Sequence, residues 1–158
     1  MLKTLQNTLT LSIGKQLSDY TVTKRLGGYP CSHRQWKDDG HCSFLHGYDR
    51  WIELEWRGER DYRGWVVDFG GLKELKQAFE HQFDHTCLIA EDDPYLSTWQ
   101  SLHDYKVIDM RIMDPTIEGM TLWVAELVQE WTQRNCNNVE LIRVTCFENE
   151  KNSASWKP

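Results

Sequence analysis

No stretch of this chain is long and apolar enough to span a bilayer, which sets membrane proteins aside. Proline is scarce, with four in 158 residues, and no Pro/Gly/Ser-rich tract, repeat or low-complexity run divides the chain. A linker between domains is therefore not expected. Positive charge is short as well: the formal net charge is −6, and acidic and basic residues are interspersed. Without a cationic stripe, nucleic acid is not an expected partner. The five cysteines, Cys31, Cys42, Cys87, Cys136 and Cys146, form an odd set with no framework spacing. They read as reduced thiols in a cytosol, so a cytoplasmic protein is expected.

What is present is a packing composition. Hydrophobic residues make up 40% and include eight tryptophans, while 27% are charged. A chain of this size buries a core without disulfides or a structural metal. Residues 19–158 read as a single domain. Residues 1–18 carry Lys3, Gln6 and Asn7 and lack the continuous apolar core of a secretory signal. They read as an N-terminal extension, an arm or an extra strand.

Periodicity predicts the elements. "DYTVTKR" (19–25) is β-branched and aromatic, and "RWIELEWRG" (50–58) alternates, with Ile52, Leu54 and Trp56 on one face. "GWVVDF" (64–69) reads as a third strand, joined to the second through "GERDYRG" as a hairpin. Leu72, Leu75, Phe79 and Phe83 fall at helical spacing in 71–83. A polar loop is expected next, then a strand over 106–113. The second helix opens with Asp114 as N-cap, Pro115 at the first helical position and Glu118 in the first turn, and buries Ile117, Met120, Val124, Leu127, Val128 and Trp131. In "NVELIRVTCFEN", Ile142, Val144, Cys146 and Glu148 share one face of a last strand. The order implies an α+β fold, an antiparallel β-sheet with two amphipathic helices on one face.

Three clusters carry candidate chemistry. In "PCSHRQWKDDGHCSFLHGYD", His33 and His46 could be two ligands of a zinc site, with ordinary surface histidines as the other reading. A His-x-His pair on one strand would chelate well, but the residue two beyond His46 is Tyr48. A closed site from Cys31, His33, Cys42 and His46 also has the right donors, although this domain does not need one. In "FDHTC", Asp84 adjoins His85 just past a helix, where a hydrogen-bonded carboxylate would fix the imidazole tautomer and raise its basicity. Glu148 ends an apolar strand face, and a buried carboxylate there needs either an arginine or paired N–H donors such as the edge of a heterocycle. The "DFGG" triplet lacks the companion signatures of a kinase and is set aside.

Taken in order, these segments resemble the 6-pyruvoyl-tetrahydropterin synthase and 6-carboxytetrahydropterin synthase family. "CSHR" resembles its first zinc histidine, "CSFLHGYD" its Cys-x-x-x-His-Gly-His block and "GWVVDFGGLKE" the lead into its first helix. "FDHTCL" is similar to its Asp-His pair, "DPTIEG" to the Pro-Thr-x-Glu start of its second helix and "VTCFEN" to its substrate-binding glutamate. The resemblance implies the tunnelling fold, subunits assembled by sheet pairing into homo-oligomers, typically hexamers, and active sites between subunits. It implies Zn2+ on His33 and His46, with Tyr48 at the position of the third imidazole. A phenol is a poor zinc ligand at neutral pH. Tyr48 as phenolate, His41 or Asp49 after a loop shift, or a weak or absent metal would each account for the departure.

The resemblance further implies Cys42 as the proton-moving thiolate, Asp84 and His85 as the relay, and Glu148, with Thr116 and Glu118, as the pterin anchor. The implied reaction is that of 6-carboxytetrahydropterin synthase, which takes 7,8-dihydroneopterin triphosphate to 6-carboxytetrahydropterin, acetaldehyde and triphosphate on the route to 7-deazaguanine bases such as queuosine. A 6-pyruvoyl-tetrahydropterin synthase or other pterin lyase, and an inactive pterin- or purine-binding protein, are the alternatives.

Overall fold

A computed structural model describes residues 19–158, so the expectation for residues 1–18 lies outside the described residues. Strands β1 (Tyr20–His33) and β2 (His46–Gly58) are followed by helix α1 (Lys73–Phe83), β3 (Thr86–Ile89), α2 (Leu96–Asp104), β4 (Met110–Ile112), α3 (Ile117–Asn135), β5 (Val139–Phe147) and β6 (Ser153–Trp156). One sheet joins the strands in the order β4-β3-β1-β2-β5-β6. The expected antiparallel pairing holds for β1 with β2, β2 with β5, and β5 with β6, whereas β3 runs parallel to β1 and β4. The sheet is thus mixed. Among the described residues no helix is long and apolar enough to cross a membrane.

The core lies between one sheet face and the two expected helices. Ile52, Leu54 and Trp56 alternate inward on β2 and meet Leu75, Phe79 and Phe83 of α1 and Met120, Val124, Val128 and Trp131 of α3, all essentially buried. Ile117 and Leu127 lie at the margin of this cluster. The Trp56 indole N–H donates to Thr132 Oγ1 at 2.9 Å, so this buried tryptophan leaves no polar atom unpaired.

Six elements depart from the expectations. The segment 64–69 is not a strand, because both edges of β2 are taken by β1 and β5 and no ladder is left for a hairpin. Its chain is instead turned by side chains: the Asp61 carboxylate accepts the backbone N–H groups of Arg63 and Trp65, and Asp68 accepts that of Gly70. Within the expected polar loop lie β3 and α2. All four residues of β3 are buried, so it shows no alternation to read. Helix α2 covers Cys87, Ile89 and Met110 through Leu96 and Trp99 in a small second cluster. The strand expected over 106–113 shrinks to Met110–Ile112. Helix α3 is capped by Thr116, whose Oγ1 accepts the Gly119 N–H at 2.9 Å, while Asp114 Oδ1 accepts from the Thr116 N–H and hydroxyl. On β5 one extra residue, Ile142, interrupts the pairing between Glu55/Arg143 and Trp56/Leu141, so Leu141 joins Val144 and Cys146 on the core face.

Candidate active site

The candidate site is a polar extension of the core-facing row. On β2 the alternation that buries Ile52 and Leu54 also turns Arg50, Tyr48 and His46 to the same face. Their partners on β1 are Tyr29, Cys31 and His33. A register shift makes this possible: Gly27 opposes Trp51, but Tyr29 opposes Arg50, so Gly28 is an extra residue. It carries Tyr29, Cys31 and His33 onto the face that Leu26 already occupies. A Cβ at Gly28 would stand 2.1 Å from the Asp49 carboxylate, so a larger residue there would have to move that side chain. At the end of β5, Glu148 follows Cys146 onto the same side and brings Oε1 within 3.5 Å of His33 Nε2.

Hydrogen bonds fix the imidazoles. His33 is 1% exposed, and its Nδ1 lies 2.9 Å from Arg50 Nη2. A guanidinium has only donors, so Nδ1 is the acceptor and the His33 proton is on Nε2, facing Glu148. Burial, then the charges of Arg50 and His46, push the His33 pKa down to about 3, and the ring is neutral at physiological pH. His46 is arranged the opposite way: its Nδ1 donates to the Phe44 carbonyl at 2.7 Å, which leaves the Nε2 lone pair free. The His33 and His46 ring centres are 4.3 Å apart, and Tyr48 lies 6.1 and 5.7 Å from them.

Arg50 is fully buried. Besides His33 it reaches the Met120 sulfur at 3.6 Å and the Pro115 carbonyl at 3.4 Å, and among the described residues its Nε has no partner and no carboxylate hydrogen-bonds to it. Nearby, burial raises the Cys31 thiol, which Arg50 only partly offsets, and pushes the Cys146 thiol up to about 12. Both remain protonated.

The family model for 6-pyruvoyl tetrahydropterin synthase matches residues 21–158. The chain belongs to the 6-pyruvoyl tetrahydropterin synthase family. A 6-carboxy-5,6,7,8-tetrahydropterin synthase from Rickettsia conorii is 33% identical over 67 residues, 41% of this chain and 49% of that protein. A "Probable 6-carboxy-5,6,7,8-tetrahydropterin synthase" from Halobacterium salinarum is 31% identical over 88 residues, 56% of each chain. The chain thus spans about half the length of these curated relatives. In fold, it is similar to an uncharacterized protein from Wolinella succinogenes, at TM-score 0.74 and 20% identity over 89% of this chain and 98% of that one. It is likewise similar to 6-pyruvoyl tetrahydropterin synthase from Caenorhabditis elegans, at TM-score 0.63 and 20% identity over 90% and 97%.

Membership in the 6-pyruvoyl tetrahydropterin synthase family gives the remaining residues their context. Asp84 and His85 form the hydrogen-bonded pair, Nδ1 to Oδ1 at 2.8 Å. His85 holds a left-handed φ of 58° and is tied to the sheet through its N–H on the Pro30 carbonyl at 2.7 Å. It lines a groove of about 480 Å³ with Tyr48 and Asp49. Cys42 is exposed on the short turn His41–Ser43, beyond His33, and among the described residues no hydrogen bond joins it to the Asp84–His85 pair. Thr116 serves the start of α3, beside the Pro115 carbonyl that Arg50 reaches, and Glu118 is exposed.

The donor set does not fit a three-ligand zinc site. His46 offers a free lone pair, but His33 has its Nδ1 lone pair on Arg50 and a proton on Nε2, and Tyr48 offers a phenol. Among the described residues no three His, Cys, Asp or Glu side chains are grouped to hold a metal ion. Arg50 is the residue that reading the sequence missed. Its signal was present: position 50 is in phase with Ile52, Leu54 and Trp56, so a cation was bound to enter the buried face.

Proposed function

We propose that the chain is a 6-carboxytetrahydropterin synthase-type enzyme, which converts 7,8-dihydroneopterin triphosphate, with uptake of water, to 6-carboxytetrahydropterin, acetaldehyde and triphosphate. In this reading it supplies a precursor of 7-deazaguanine bases such as queuosine, and works in the cytosol. One observation carries it: Glu148 ends the core-facing row beside His33 with its side chain 17% exposed, where a planar heterocycle can present paired N–H donors to it. The family membership and the curated relatives named for that activity support the choice of substrate.

Each residue then has a role. Glu148 fixes the pterin ring, with Thr116 and Glu118 in support as the family resemblance implies. The Cys42 thiolate removes and returns the side-chain proton, and the Asp84–His85 pair carries protons to and from the reacting oxygens. By resemblance to the family, the complete site is formed between subunits of a homo-oligomer, a hexamer. These roles do not call on zinc, whose ligand set the donors do not supply.

The test is a mass-spectrometric product assay with the wild-type chain and Cys42→Ala. Wild type is expected to release 6-carboxytetrahydropterin, and Cys42→Ala to bind pterin as wild type does but give no product. Equal turnover by the variant would remove the role of Cys42. A second reading, a pterin- or purine-binding protein without turnover, is favoured by the Arg50–His33 bond, and bound heterocycle with no product from wild type would select it.

A further inference from the structure

We propose that Arg50 is the resident cation of this site and a positioning residue that locks His33 as a hydrogen-bond donor, so that the pocket works without a divalent metal. The inference rests on the pterin reading only for the identity of the ligand. Its metal part stands on the side chains alone.

The Arg50 bond fixes the tautomer of His33. Nδ1 accepts from Arg50 at 2.9 Å, and the proton on Nε2 faces Glu148 Oε1 at 3.5 Å. To ligate a metal through Nε2, the imidazole would have to carry its proton on Nδ1. Arg50 has no acceptor for that proton, and two N–H groups would confront each other at hydrogen-bond distance. Ligation through Nδ1 would require displacing the guanidinium, which is wholly enclosed and held by the Met120 sulfur and the Pro115 carbonyl.

Charge acts in the same direction. A guanidinium is protonated at any physiological pH, and among the described residues this one has no carboxylate hydrogen-bonded to it. A dication on the adjoining rings would add to the buried positive charge of Arg50 in a medium that screens poorly. The departure from a zinc site is therefore double. Tyr48 withholds a ligand, and Arg50, two residues on and on the same face of β2, disables the ligand on the facing strand. Restoring the imidazole at position 48 alone repairs only half of it.

The consequence for binding is specific. Glu148 keeps its carboxylate beside a neutral N–H donor rather than beside a metal, and the ligand class is a neutral or weakly basic heterocycle that donates to Glu148. Its affinity is independent of zinc.

The experiment titrates the chelator-stripped full chain with Zn2+ against a chromophoric competitor, for wild type, Tyr48→His and Tyr48→His/Arg50→Met. Wild type and Tyr48→His are expected to lose zinc on dialysis, and the double variant to bind it about 100-fold more tightly than Tyr48→His, the scale at which outer-shell partners tune metal affinity. One zinc per wild-type chain retained through dialysis, or equal affinities of Tyr48→His and the double variant, would overturn the proposal. Should the double variant fail to fold, long-range ¹⁵N–¹H correlation on wild type decides: a His33 proton on Nε2 supports the lock, and one on Nδ1 refutes it. Binding of 7,8-dihydroneopterin, measured in parallel with zinc and with chelator, separates the two readings. Equal binding supports metal independence, zinc-dependent binding refutes it, and failure to bind in both, with the titration as expected, overturns the pterin reading and leaves the Arg50 assignment standing.

Discussion

The neutral, buried His33 makes stability depend on pH in a calculable way, and His33→Gln isolates it. In the folded chain its pKa lies at about 3, against an unfolded value near 6.5. As pH falls through 6.5 the unfolded chain takes up a proton that the folded chain refuses, so the stabilisation is complete above 6.5 and is lost as pH falls toward 3. Between pH 7 and pH 5 the loss assigned to this one ring is about 2 kcal/mol. Glutamine keeps an amide oxygen for Arg50 and does not titrate. The assay is urea unfolding of both chains at pH 7 and pH 5. With m of about 1–3 kcal/mol/M, the wild-type midpoint should drop by roughly 1 M more than that of the variant. Parallel drops in the two proteins would refute a neutral, proton-refusing His33 and with it the tautomer assignment.

Leu54→Ala removes a fully buried side chain from the centre of β2 and should cost about 2–5 kcal/mol by denaturant unfolding, while leaving residues 46–50 in register. A cost below about 1 kcal/mol would mean that the packing around it is loose. Thr116→Ala deletes the cap of α3 and should cost about 1 kcal/mol, with Thr116→Ser close to neutral in the same measurement. Equal losses in the two variants would argue against the hydroxyl as the cap.

Legibility in the sequence followed periodicity. The inward row Ile52, Leu54, Trp56 and the helices over 73–83 and 117–135 were readable because each alternates or repeats against a single core face. Strand β3 was not, since all four of its residues are buried and no polar phase marks it. The span 64–69 misled for the opposite reason: its apolar residues suggested a strand, but pairing depends on a free sheet edge, which is a property of the whole topology.

The site shows the same division. His33, His46, Tyr48 and Glu148 were named from motif spacing, and the fold brings them to one place. That they meet depends on the extra residue Gly28, which resets the phase of β1, and spacing along the chain does not reveal a register shift. Adjacency alone left Asp84 and His85 open to a plain helix-end reading, and the pair was implied by the resemblance; the bond forms with His85 in a left-handed backbone tied to Pro30. Arg50 escaped because a charged residue at a strand end reads as solvated surface, whereas the row it continues goes on inward.

The most direct measurement is calorimetric titration of 7,8-dihydroneopterin into chelator-treated wild type and Glu148→Gln. The account predicts that wild type binds without metal and that the variant binds about 10–100-fold more weakly, the loss expected when a charge-assisted hydrogen bond becomes a neutral one. Equal affinity in the two folded proteins, or no binding by wild type, would contradict it.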